Sequence, residues 1–215
     1  MFHTTLSCPS WEYSTIPGHD DVLKQRAQAV LSHIGTASPT AVLFLASDTR
    51  TVHGTYFENL TPPGCDYYRG HYRGEKFPCL EGCEVGISSD PRVGHKAYSV
   101  PEKMKIFAKD MDEAVQSVDV AWAANNQVFS KAEKLYRSVR TVAALFVYFL
   151  EVHPYANGNG HMARFILIAL LRRYGLFLSR WPIHPRPADP PYSKCIALYR
   201  DGHPIHLEKF ILNCI

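Results

Sequence analysis

The sequence predicts a mainly α-helical fold, and three observations carry that prediction. Apolar residues recur at three- and four-residue steps after Pro101, placing Met104, Phe107, Met111 and Val115 on one stripe. Ser130 and Glu133 form a capping-box pair ahead of a long periodic segment that carries Leu135, Val139, Val142, Leu145, Phe146 and Phe149. His161–Tyr174 is apolar on nearly every side and stops at Gly175, which suits a helix at the centre of a core.

Taken in order, Asp20–Ile34 shows helical spacing with acids at its start and Gly35 after its end. Ala41–Ala46 is a short apolar run that fits a buried strand or a helix turn. From Ser47 to Ser99 the text turns rich in Gly, Pro, Tyr and charge, with strand-like pieces such as Glu84–Ile87. An ordered irregular region with a small β-hairpin is expected there. Pro101 opens a helix at its first turn, and Pro154 stops the next one at His153. Trp181–Pro191 holds five prolines and predicts a rigid crossover. Two short helices, near Tyr192–Arg200 and Ile205–Leu212, complete the chain. The domain division expected is an N-terminal, partly helical extension over residues 1–65 and a main domain over 66–215.

The composition narrows the function classes. The chain has 215 residues, 46% hydrophobic and 20% charged, which fits one domain or a domain with an appendage. A net charge of +3 without a concentrated basic stripe argues against a nucleic-acid partner. Arg172 and Arg173, with Arg180 nearby, read as cations at a helix C-terminus. The longest apolar runs, Thr141–Leu150 and Phe165–Leu171, fall short of the roughly 20 residues of a membrane span. With no leader pattern at the N-terminus, a soluble cytoplasmic protein with no membrane partner is expected. Six cysteines are present: Cys8, Cys65, Cys79, Cys83, Cys195 and Cys214. Reduced thiols are expected over disulfides in that setting. Cys65, Cys79 and Cys83 with His71 and His95 miss the strong zinc spacings, so structural zinc is disfavoured.

One stretch is not explained by folding alone. HPYANGNGHMARF, His153–Phe165, spends far more glycine and asparagine than a helix–helix turn requires. Gly158 and Gly160 allow close approach and lead into a helix N-terminus, whose unpaired N–H groups and positive dipole end attract phosphate. Asn159 tolerates left-handed backbone and can add a donor. Arg164, one turn in, supplies a planar fork of donors for a second phosphate. His153 borders the loop and can accept a proton from an attacking hydroxyl. The stretch reads as a phosphate cradle between a base and a cation.

His153–Arg164 resembles the Fic (Fido) motif His-Pro-Phe-x-(Asp/Glu)-Gly-Asn-Gly-Arg-x-x-Arg, and follows it without a gap. The resemblance extends to the flanking helices and to Val93–Met104, covering about Tyr68–Leu212. It implies a mainly α, Fic-type helical core with a small β-hairpin flap within Cys83–Lys96. It also implies transfer of a nucleoside monophosphate, most often AMP from ATP, onto a protein hydroxyl. His153 would be the catalytic base; Gly158, Asn159, Gly160, His161 and Arg164 would bind the phosphates. The flap would hold a target protein by strand addition. Mg²⁺ or Mn²⁺ and ATP are the implied cofactor and co-substrate.

The chain departs from the motif at two positions. Asn157 replaces the metal-binding acid, leaving a weak ligand that would act through the phosphates. His161 replaces the first arginine, which predicts tighter nucleotide binding at mildly acidic pH. The inhibitory glutamate helix of many relatives has only a weak counterpart in Gly54–Asn59, with Glu58 as the acid, leaving inhibition to a separate protein or to none. Lys194, Tyr199 and Arg200 could border a nucleobase. Two alternatives stand beside the transferase: a catalytically weakened Fic-like domain that binds nucleotide or a partner, and a Doc-type phosphotransferase.

Overall fold

A computed structural model describes residues 8–86 and 90–215. Among them lie eight α-helices: α1 (His19–Thr36), α2 (Pro39–Ser47), α3 (Arg50–Tyr56), α4 (Val100–Ala123), α5 (Lys131–Val152), α6 (Asn159–Arg173), α7 (Tyr192–Arg200) and α8 (Ile205–Leu212). The capping box opens α5: Ser130 Oγ accepts from the Glu133 N–H and Glu133 Oε2 accepts from the Ser130 N–H. At the end of α6 the Gly175 and Leu176 N–H groups donate to the carbonyls of Arg172 and Leu171, a Schellman closure.

Every residue of α6 from His161 to Leu171 is buried. A helix with no wet face must be surrounded: α5 and α2 flank it, α4 packs on both, and α7 and α8 pair against α5. Each Leu or Ile buried there contributes roughly 1.5–3 kcal/mol relative to exposure. This central helix carries the motif at its N-terminus, so the candidate site is anchored on the most buried element of the fold.

One open choice is settled and two expectations change. Ala41–Ala46 lies inside α2, a helix that Ser38 caps by accepting from the Ala41 N–H. The segment after Ser47 is not wholly irregular, because Arg50–Tyr56 forms α3 despite Gly54 and three β-branched residues; burial of Val52, His53 and Tyr56 outweighs their weak propensity. Cys8 and Cys79 are joined in a disulfide with Cα atoms 5.5 Å apart, where reduced thiols were expected. Trp11, Leu23, Ala27, Val42 and Tyr56, from residues 8–65, belong to the same core as α5 and α6.

Apart from an isolated bridge at Asp90, no described residue is in a strand. The two limbs of the expected flap nevertheless lie side by side, since a Cβ on Gly94 would run into the Val85 carbonyl. Ile87–Ser89, the centre of that flap, lie outside the described residues. No helix among the described residues is long and apolar enough to cross a membrane.

Candidate active site

His153 ends α5 with left-handed backbone, φ 53° and ψ 60°, which a residue bearing a Cβ adopts rarely. Two features hold it there. Pro154 disfavours helical backbone at position 153, and the fully buried Arg73 donates to the carbonyls of His153 (2.9 Å), Cys83 (2.8 Å), His95 (3.0 Å) and Val152 (3.3 Å). One guanidinium thus ties the α5 terminus to both limbs of the expected flap. The ring of His153 places Nδ1 3.2 Å from the Leu150 carbonyl. A carbonyl can only accept, so the neutral ring keeps its lone pair on Nε2. Burial pushes the His153 pKa down to about 4, aided by Arg73 and Arg200 and opposed by the Leu150 bond. His153 is therefore neutral at pH 7 and able to take a proton.

The loop that follows is braced from within and behind. The Asn159 side chain accepts from the Tyr155 N–H and donates to the Tyr155 carbonyl, both at 2.8 Å. Its amide is spent inside the loop, which leaves its backbone N–H for a ligand. Tyr155 is buried and stacks on His53 at 3.7 Å; its hydroxyl, the group a phenylalanine would lack, pairs with Thr49 Oγ1 at 2.8 Å. Gly70 N–H donates to His53 Nδ1, so His53 Nε2–H donates to the Asn157 carbonyl at 3.1 Å. Burial lowers the His53 pKa to about 3. Gly158 has φ 80°, and a Cβ there would fall 2.6 Å from Phe57 Cζ. Both the backbone and the space require glycine.

At the start of α6 the N–H groups of Asn159 and Gly160 have no hydrogen-bond partner among the described residues, as expected of a helix N-terminus. Arg164 is 3% exposed and donates through Nε to the Ile183 carbonyl at 2.8 Å. Its terminal nitrogens have no other bond or ion pair among the described residues, and the side chain lines a cleft of about 920 Å³. That cleft also takes in His153, residues 157–161, Tyr13, Val85 and Gly86 of the expected flap, His184 and Arg200. Its volume is that of a small-molecule site.

The two divergent positions have other partners. The Asn157 amide donates to the Trp11 carbonyl at 2.6 Å, and its oxygen accepts from the Gly158 N–H at 2.7 Å. His161 is 7% exposed and lies among the rings of Tyr13, Tyr56 and Phe57. Its Nε2 is 3.1 Å from His184 Nδ1, while His184 Nε2 donates to Asp20 at 2.7 Å. Burial, with Arg164 and His184 beside it, pushes the His161 pKa well below its ordinary value. Desolvation thus opposes the protonated ring on which the expected gain in binding at mildly acidic pH depends.

Other sequence candidates separate. Glu58 is exposed and forms no ion pair with Arg164; its carbonyl accepts from Arg26. Of Lys194, Tyr199 and Arg200, only Arg200 lines the cleft, its guanidinium paired with Asp90 (3.4 Å) and Glu151 (3.7 Å). His71 pairs with Glu75 and Cys79 is in the disulfide; among the described residues no three His, Cys, Asp or Glu side chains converge on a metal site. Sequence reasoning missed Arg73, His53, His184 and Trp11. No local pattern marks the first three; Trp11, in the run Trp-Glu-Tyr, carried only the signal of clustered aromatics.

No curated protein matches the chain. A family model described as the Fic/DOC family matches residues 44–171, more than half of the sequence, and that span includes the whole motif loop. With His153, the Gly158 turn and Arg164 assembled around the junction of α5 and α6, the chain belongs to the Fic/DOC family.

Proposed function

We propose that the protein transfers a nucleoside monophosphate, AMP from ATP in the first instance, onto a hydroxyl of another protein. The observation that carries this reading is Arg164: a buried guanidinium with uncommitted donors, beside the open N–H groups of α6, in the cleft that also holds neutral His153. An unpaired buried cation is costly unless an anion completes it, and a helix N-terminus adds to the same preference.

The step balances with the chain's own groups. The target hydroxyl oxygen attacks the α-phosphorus while His153 Nε2 takes its proton. The bond from that phosphorus to the bridging oxygen breaks, and pyrophosphate leaves with the electron pair, held by Arg164 and the Asn159 and Gly160 N–H groups. The target backbone lies along Val85 and Gly86, which border the cleft. The Mg²⁺ or Mn²⁺ that the motif implies finds no carboxylate in the loop, so no protein group beyond Asn157 is offered to it.

A second reading is favoured by the same two divergent positions: a domain that binds nucleotide but has lost most of its catalysis, since neither Asn157 nor His161 brings charge to the phosphates. Intact mass after incubation with each nucleoside triphosphate, with Mg²⁺ or Mn²⁺ and beside His153→Ala, separates the cases. A nucleotidyl adduct lost in the variant supports the transferase, and a phosphoryl adduct supports a Doc-type phosphotransferase instead. An adduct that forms only in Asn157→Asp combined with His161→Arg supports the weakened domain.

A further inference from the structure

Every carboxylate side chain can be placed, because residues 1–7 and 87–89 contain no Asp or Glu. Only Asp90 lines the cleft. Its two oxygens are taken by Arg92, at 2.8 and 3.1 Å, and by Arg200, at 3.4 Å. Asp20, behind His184, is shared with Lys24. The cleft therefore has no free carboxylate, whereas Mg²⁺ is usually held by one or two of them together with phosphate oxygens.

Asn157 explains the substitution on its own terms. Its Nδ2 donates to the Trp11 carbonyl at 2.6 Å, which a carboxylate cannot do. Trp11 is itself fixed, 5% exposed, with its indole N–H donating to the Leu60 carbonyl. An aspartate at 157 would set two negative oxygens against that carbonyl and release the N-terminal segment from the loop. The asparagine is a clasp, and its remaining oxygen already accepts from Gly158.

We infer that this site takes its nucleotide pyrophosphate as the metal-free anion, with Asn157 clasping the N-terminal segment in place of binding a metal. The inference rests on the nucleotide reading above. Arg164 contributes one full positive charge, and the α6 terminus about half a charge more. Both attract the phosphates of a nucleoside diphosphate unit.

Calorimetric titration of the whole chain with ADP, first in EDTA and then in saturating Mg²⁺, tests this without reference to activity. Binding in EDTA that Mg²⁺ leaves unchanged or weakens is the expected result. Asn157→Asp should reverse the order, losing about tenfold in EDTA and recovering with Mg²⁺. The wild-type comparison decides alone if that variant does not fold. Wild-type binding that needs Mg²⁺, or tightens about tenfold with it, overturns the inference and leaves the nucleotide reading standing. ADP binding in neither condition overturns both.

Discussion

Two buried arginines bracket the motif loop, and they are spent differently. Arg73 directs its guanidinium at four carbonyls around His153, so nothing remains for a ligand. Arg164 makes one bond, to Ile183, and turns the rest toward the cleft. Both are almost fully buried, so burial of a charge does not distinguish scaffold from site. Spare donors on the cleft wall do, because a ligand can complete them there.

The largest test of that contrast is at His153, the proposed base. His153→Ala should lower transfer by about 10²–10⁴-fold, read as adduct formed per minute, with the fold unchanged by circular dichroism. Because the His153 pKa is near 4, wild-type activity should stay flat from pH 8 to pH 6 and fall only as pH approaches that value. An acid limb near pH 6.5 would mean that the ring is not buried as described.

Arg164→Ala should cost about 10²–10³-fold in transfer, the scale of one removed donor to developing phosphate charge, while thermal stability stays close to wild type. Arg73→Met should do the opposite. Leaving its carbonyls without donors should cost at least about 3 kcal/mol of unfolding free energy, measured by denaturant titration. If both variants lose stability equally, the division between scaffold and site fails.

A smaller effect follows from the buried histidines behind the loop. His53 and His153 titrate at about 3 and about 4 in the folded chain, against about 6.5 when unfolded. The unfolded state thus binds more protons between those values, and stability falls as pH drops below about 6.5. Melting temperature should decline steadily from pH 7 to pH 4.5, and His53→Gln should flatten part of that slope. The smallest effect lies far from the site: Ser130→Ala should cost about 1 kcal/mol through loss of the α5 cap, with transfer unaffected.

Most helices were legible because their signals are local. Periodicity, the Ser130–Glu133 box, Pro101 and Gly175 each act within a few residues, and the helices they mark are all present. α3 was not, since Gly54 and its β-branched neighbours weigh against helix and only burial overrules them. The disulfide was missed for a related reason, as Cys8 and Cys79 are 71 residues apart and spacing says nothing about which cysteines meet. At the site, His153, Gly158 and Arg164 could be singled out by type and order. The role of Asn159 within the loop could not, because a side chain's partners depend on where the backbone turns.

The sequence alone determined the helical class, the interruption between α5 and α6, and the order His153, Gly158, Arg164 along the loop. These rest on near neighbours and on residue chemistry. Only the tertiary structure decided which of the buried charges were free. It gave Arg73 to the scaffold, tied Asn157 to Trp11 and sealed His161 against His184. Each of these depends on groups more than twenty residues apart in the chain meeting at hydrogen-bond range, which no local pattern encodes.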